Sequence, residues 1–428
     1  MNVLVLGSGG REHAIVCSLA ASPLIKHIFV APGNGGSAPG VVNIELDIMD
    51  GREVVQCADE YNVDFVVIGP EAPLVAGVAD TVRAAGIECF GPSAAGALIE
   101  GSKEFSKDLM RKYQIPTAEY AVFKEEAAAL DYLEQHPAPI VIKADGLAAG
   151  KGVTVAMTSE EAIQAVRECF SGRFGKAGSK VVIEEYMTGP ECSLIAFVDG
   201  RYMIPMVPAQ DHKRALEGDL GPNTGGMGVY SPVPIVSEYE YLEMVSLMQK
   251  TVSALISEGI DFRGILYGGF MLTPTGPRVL EFNARFGDPE TQVVLPMLKT
   301  DLATILLACS KGELDELEIE WSDSWAVSVV LASAGYPESY ETGKLITGIE
   351  AAEALEQVTV FHAGTKQDCE GKVYTNGGRA LNVTALGDTF EAARQQAYKA
   401  VDLIDFEGKT YRKDIGARAL RGREAWEE

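Results

Sequence analysis

Leu280-Glu281-Phe282-Asn283-Ala284-Arg285-Phe286-Gly287-Asp288-Pro289-Glu290-Thr291-Gln292 is the stretch on which the fold of this chain turns. Laid on a strand, its first half puts Glu281 and Asn283 on one face, with Leu280 and Phe282 on the other. A carboxylate and an amide oxygen side by side are hard oxygen ligands. They suit a magnesium ion that bridges the phosphates of ATP. If the strand geometry persists, Arg285 lies on the same face and can bind a carboxylate or a phosphate. An edge strand with a solvated polar face explains the alternation as well. It does not explain the Arg-Phe-Gly-Asp-Pro-Glu extension that breaks the strand.

Four other segments bear on anion chemistry. Gly7-Ser8-Gly9-Gly10-Arg11-Glu12 follows an apolar run and invites comparison with a dinucleotide fingerprint. Glu12 stands where the third glycine belongs, and Pro32-Gly33-Asn34 replaces the acidic partner. What remains is either an anion site at a helix start or a tight turn, with Arg11 tilting toward the anion. Lys143 to Val153 contains Gly146, Gly150, Lys151 and Gly152, but the spacing is not that of a P-loop and Gly152 replaces the magnesium-holding hydroxyl. A glycine loop between two strands can instead close over a triphosphate, with Lys143 meeting its oxygens. In Val181–Met187 an apolar strand runs into Glu184, Glu185, Tyr186 and Met187. Either it is an exposed strand end, or it is a hinge whose backbone pairs with adenine while Glu191 takes the ribose hydroxyls. Asp211-His212-Lys213-Arg214 precedes Gly218–Gly228, which carries glycines at 218, 221, 225, 226 and 228. Such a stretch is expected to be a loop, not a helix or a central strand. We read it as bringing backbone N–H groups to an anion or a reacting carboxylate.

The chain has 428 residues and a formal net charge of −25. Two to four domains are expected at this length. So acidic a surface repels nucleic acid, and any phosphate site must gather its own cations and amides. The seven cysteines include no CxxC pair and the five histidines are scattered, so no zinc cluster is expected. The N-terminus reads as a core strand, and no apolar run reaches the roughly 20 residues of a membrane span, so a cytoplasmic protein is expected.

Short apolar runs alternate with helical stretches up to Gly101: Val3–Leu6, His27–Val30, Asn43–Ile48, Asp64–Ile68 and Ile87–Phe90. That pattern predicts a doubly wound α/β domain with a parallel sheet over 1–101. A central α+β region is expected over 102–324, with Ser102 capping a helix, a lid subdomain at about 118–190, and a helix from about Pro289 to Lys311. A C-terminal α+β domain follows over 325–428.

Taken together, Lys103, Lys143, the Gly146–Gly152 loop, the Glu184–Met187 hinge and Glu281-Phe282-Asn283 occur in the order of the ATP-grasp fold. Gly218–Gly228 and Arg285–Gln292 resemble the phosphoribosylamine–glycine ligase family of purine biosynthesis. Gly7–Glu12, Gly69–Leu74, Asn376–Arg379 and Tyr411–Gly416 are similar as well, and the resemblance covers essentially the whole chain in a single-ligase form. It implies ATP-dependent joining of glycine to 5-phosphoribosylamine through glycyl phosphate. It also implies that Lys103, Lys143, Gly146, Gly150, Lys151, Gly152, Glu184, Glu185, Tyr186, Met187 and Glu191 bind ATP. Glu281 and Asn283 would hold magnesium or manganese. Gly9, Gly10, Arg11, Glu12, Pro70 and Glu71 would hold phosphoribosylamine. Asp211, Lys213, Thr224, Gly225, Gly226, Met227, Gly228 and Arg285 would complete the substrate site, with Arg285, Lys143 and Asn223 at the chemistry. The alternatives weighed are another ATP-grasp ligase, a nicotinamide-dependent oxidoreductase and an inactive nucleotide sensor.

Overall fold

The computed structural model describes residues 1–36, 40–147 and 152–421. The N-terminal part is a five-stranded sheet in the order Val41–Asn43, His27–Pro32, Asn2–Gly7, Phe65–Ile68, Glu88–Phe90, with every pair parallel. Alternate residues of the central strands feed two separate cores. Leu4, Leu6, Val66 and Ile68 belong to one, and Val3, Val5, Phe65 and Val67 to the other. Helices cover both faces, so these strands read as unbroken apolar runs. The third run is a strand only as far as Asn43. Beyond it the chain turns so that Asp50 can cap the helix Gly51–Glu60, accepting the Arg52 N–H at 2.8 Å.

The middle of the chain holds two antiparallel sheets. One runs Met203–Pro205, Glu191–Asp199, Arg263–Thr273, Gly276–Asn283. The other runs Tyr120–Phe123, Val181–Glu185, Ile140–Ala144, Val153–Ala156, and two helices, Glu126–Gln135 and Ser159–Phe170, pack on it around a core of their own. Thr158 and Glu161 cap the second helix reciprocally. Gly150 and Lys151, in the loop between Ile140–Ala144 and Val153–Ala156, lie outside the described residues.

A fourth sheet is built from Gln210–Asp211, Gly228–Ser231, Trp325–Ser333, Arg379–Gly387 and Val358–His362, with the helix Phe390–Val401 against it. Its membership corrects the loop expected over Gly218–Gly228. Leu220–Asn223 forms a small hairpin with Arg214–Leu216, and Gly228 opens an interior strand paired on both sides. Glycine fits there because a Cβ on Gly228 would sit 2.6 Å from Ile415 Cδ1 and 2.9 Å from the Ser328 carbonyl.

The single helix expected from Pro289 to Lys311 is two, Thr291–Val294 and Leu302–Lys311, with a short 3-10 turn at Leu295–Met297. The break has a clear cause. Leu298 is extended and bridges Trp321, Lys299 N–H donates to the Glu320 carbonyl at 3.0 Å, and Asp301 caps a fresh helix by accepting the Thr304 N–H at 2.8 Å.

Candidate active site

The strand Gly276–Asn283 forms one wall. Glu281 is registered against Gly269 and Asn283 against Tyr267 on the neighbouring strand. Glu281 makes no direct hydrogen bond or ion pair among the described residues, yet it lies in a cationic field. Burial raises its pKa, but Lys213, Lys143, Lys103 and Arg285 outweigh burial and hold it below the ordinary carboxylate range. Lys213 is 3.1 Å from Glu191. Burial works against its charge, but Glu191 and Asp211 hold it firmly protonated. Asp211 moves the other way, up to about 7, because burial and then Glu290, Glu191 and Glu281 oppose its ionisation more than Lys213 supports it.

A second wall comes from the small sheet and the helix Lys103–Lys112. Ser102 caps this helix, accepting the Phe105 N–H at 3.2 Å. The Lys143 ammonium lies 3.0 Å from Glu184 Oε2 and donates to the Leu280 carbonyl at 3.3 Å, which ties the two walls together. Lys107 shares the same Glu184 oxygen at 2.9 Å, while Glu184 Oε1 is buried with no partner among the described residues. Lys107 stands four residues after Lys103, one helical turn along. That spacing was available to sequence reasoning and was passed over. Lys103 donates to the Gly146 carbonyl at 3.0 Å, and burial lowers its pKa although Glu281 supports its charge. Next to Glu184, Met187 packs with Ala118, Met271 and Leu280 in a small apolar cluster. Glu185 pairs with Arg278 at 3.6 Å, and Tyr186 is half-buried.

The strand ends at Asn283, so Arg285 does not continue its face. The Arg285 guanidinium instead turns toward the N-terminal sheet, 3.0 Å from Glu100 and 3.4 Å from Glu71. Glu71 opens a short helix behind Pro70. Arg11 donates to the Phe286 carbonyl at 3.2 Å and pairs with Glu12 at 2.5 Å. Glu12 Oε2 in turn accepts the Gly9 N–H at 2.7 Å. The Glu12 side chain also fills the space over Gly7 and Gly69, where a Cβ would lie 2.4 and 2.2 Å from it. The space that a dinucleotide needs at this turn is therefore occupied by Glu12.

The backbone of the glycine-rich loop faces inward. The N–H groups of Thr224, Gly225, Gly226 and Met227 donate to the Lys213 carbonyl, Tyr336 Oη, Thr224 Oγ1 and the His212 carbonyl. These amides are not free to cradle an anion, contrary to the sequence expectation. The loop contributes its placement and the side chains around it, Lys213 and Asn223 among them. Also missed in the sequence was a buried hydrogen-bonded set, Ser193, Tyr267 and Glu290. Tyr267 donates to Glu290 at 2.9 Å, and Ser193 donates to it at 3.2 Å.

Glu281 and Asn283 suit a hard divalent ion, and no group of three or more His, Cys, Asp or Glu able to hold a metal occurs among the described residues. A two-oxygen set is short of the six that magnesium prefers, so a metal held there would need phosphate oxygens and water to complete its shell. The pair fits an ion carried with a nucleotide rather than one caged by protein.

Comparison with known proteins fits this geometry. Profiles described as Phosphoribosylglycinamide synthetase, N domain, ATP-grasp (A) domain and C domain match residues 1–100, 101–291 and 326–418. The chain belongs to the phosphoribosylglycinamide synthetase family. Relatives of this synthetase family include the phosphoribosylamine–glycine ligase of Nostoc sp., 51% identical over 98% of this chain and 99% of that protein. The enzyme of the same name from Escherichia coli O6:H1 is 49% identical over 98% and 99%. The solved phosphoribosylamine–glycine ligase of Thermotoga maritima superposes with a TM-score of 0.84 at 35% identity, covering 97% of this chain and all of that one. The biotin carboxylase of Campylobacter jejuni shares the ATP-grasp fold of this synthetase family, with a TM-score of 0.75 at 12% identity over 97% and 98% of the two chains.

Proposed function

We propose that this chain joins the carboxylate of glycine to the amine of 5-phosphoribosylamine at the expense of ATP. A carboxylate is a poor electrophile until a leaving group is attached. A glycine oxygen attacks the γ-phosphorus, the bond to ADP breaks, and glycyl phosphate forms. The amine then attacks the acyl carbon, phosphate leaves, and the amine gives up a proton. Charge spreads over the transferred phosphoryl oxygens, and fixed cations stabilise it.

The observation that carries this reading is Glu281, whose side chain is held ionised by four cations and has no direct partner among the described residues. Lys103 and Lys143 serve the phosphates, together with Lys151. The apolar cluster of Ala118, Met187, Met271 and Leu280 offers a flat base its surface, beside Glu184. Glu281 and Asn283 would hold magnesium or manganese, which would neutralise phosphate charge when bound. Arg285, between Glu71 and Glu100, stands where the N-terminal sheet meets the ATP-grasp wall, and it would steady the acyl phosphate beside Asn223. Gly9–Glu12 and Pro70-Glu71 line the approach for the phosphorylated amine. The activity belongs to purine biosynthesis.

The test is phosphate release from ATP with glycine and phosphoribosylamine omitted in turn. Release is expected only when both are present, and equal release without glycine would overturn the assignment.

A further inference from the structure

Arg379 enters the strand Arg379–Gly387 from the C-terminal side of the molecule. Its guanidinium serves acceptors on two segments that are far apart in sequence. Nη1 donates to the Gly225 carbonyl at 2.6 Å and to the Asp288 carbonyl at 3.0 Å, while Nη2 lies 3.3 Å from Asp288 Oδ2. Tyr336, also C-terminal, accepts the Gly225 N–H at 3.1 Å. Gly225 is thus held at both its N–H and its carbonyl by side chains of the C-terminal part. The approach is close enough to require glycine. A Cβ on Gly225 would lie 3.0 Å from the Arg379 guanidinium carbon, and one on Gly226 would lie 2.5 Å from Pro289 Cδ.

Gly225 follows Asn223 by two residues, and Asp288 follows Arg285 by three. We propose that Arg379 is a positioning residue. It locks the Asn223–Gly226 loop and the Arg285–Asp288 turn in one register, so that the two side chains meet the same reacting group. Tyr336 braces the peptide before Gly225, while Arg379 holds the one after it. A planar fork can span a carbonyl on each segment and a carboxylate, whereas the ammonium of lysine, a point charge on a flexible stem, cannot. This inference rests on the ligase reading above.

The test uses full-length R379A, R379K and Y336F, with ATP, glycine and phosphoribosylamine varied in turn. A misplacement of about 1 Å costs about a hundredfold in rate, so kcat of R379A is expected to fall about that far. KM for ATP should stay within about threefold, because the ATP-facing lysines lie on other walls. Added guanidinium should restore R379A by about tenfold, and R379K should stay as slow as R379A. A kcat for R379A within about threefold of wild type would overturn the proposal, as would a loss that guanidinium leaves unmoved. Should R379A fail to fold, Y336F decides. A fall of about fivefold in kcat at unchanged KM for ATP supports the clamp, and an unchanged kcat overturns it. Omitting glycine from the wild-type assay tests the ligase reading separately, so the two failures are distinguishable.

Discussion

Glu12 and Glu281 are carboxylates near strand ends, Glu12 paired with Arg11 and Glu281 set among Lys213, Lys143 and Lys103. Their circumstances differ. Glu12 is 2% exposed and both of its oxygens are taken, one by Arg11 and one by the Gly9 N–H. Glu281 is half-buried, surrounded by cations and bonded directly to none of the described residues. A charge closed on its neighbours shapes its surroundings through the fold, because both of its oxygens are already taken. A charge left open in a field of opposite sign has capacity to spare, and in this molecule it faces the wall where ATP chemistry is proposed.

The largest effect expected from this contrast is on stability. Glu12→Ala leaves Arg11 buried without its partner, which costs about 3–5 kcal/mol. Urea unfolding measures it, and a loss below about 1 kcal/mol would mean that Arg11 and Glu12 are not a closed pair. Glu281→Gln should do the reverse. It replaces the carboxylate of the proposed metal pair with a neutral amide, so the pair loses its only negative charge, and it should lower turnover at saturating magnesium by about a hundredfold or more, with the melting temperature unchanged. Unchanged turnover would remove Glu281 from the metal role.

The smallest effect concerns buried groups that carry no charge. His13 and His362 are lowered by burial to about 3 and about 4, and His212 by burial and Arg412 to about 4. Their hydrogen bonds agree. His13 Nδ1 accepts the His362 N–H at 3.0 Å, and His212 Nε2 accepts the Gly416 N–H at 3.0 Å. Each has a folded pKa below its unfolded value near 6.5. The unfolded chain therefore takes up protons first as pH falls. The stability they contribute is complete above pH 6.5 and is lost from there down toward 4, roughly 1 kcal/mol for each histidine by pH 5.5. Melting temperatures from pH 8 to 5 should decline on that schedule, and His362→Gln should remove about a third of the decline. A flat wild-type profile would mean that these rings are charged in the fold.

What the sequence disclosed follows the range of the interactions. The parallel sheet was legible because Val3–Leu6 and Phe65–Ile68 are apolar on both faces, a local signal. The alternation of Glu281 and Asn283 was legible for the same reason. The direction of Arg285 was not, since it depends on Glu71 and Glu100, which lie far away in the sequence. Nor was the inward-facing backbone of Thr224–Met227, whose acceptors include Tyr336 Oη. The helix break at Leu298 depends on Glu320 and Trp321, which periodicity within a window cannot see. Lys107 is the exception. It was one helical turn from a residue already chosen, and its sharing of Glu184 with Lys143 appears only once the small sheet is folded.

The sheet around Gly228–Ser231 has a consequence for the order in which the molecule is made. Gly228–Ser231 is flanked by Gln210–Asp211 on one side and Trp325–Ser333 on the other, and Gly225 is held by Tyr336 and Arg379. A nascent chain that has emerged only as far as Asn283 already contains both proposed metal ligands and the ATP-facing lysines. It still lacks the strand and the side chains that anchor its glycine-rich loop. The residues proposed to bind ATP are therefore made before the last quarter of the chain, which supplies the strand and the side chains that hold Gly225 in place.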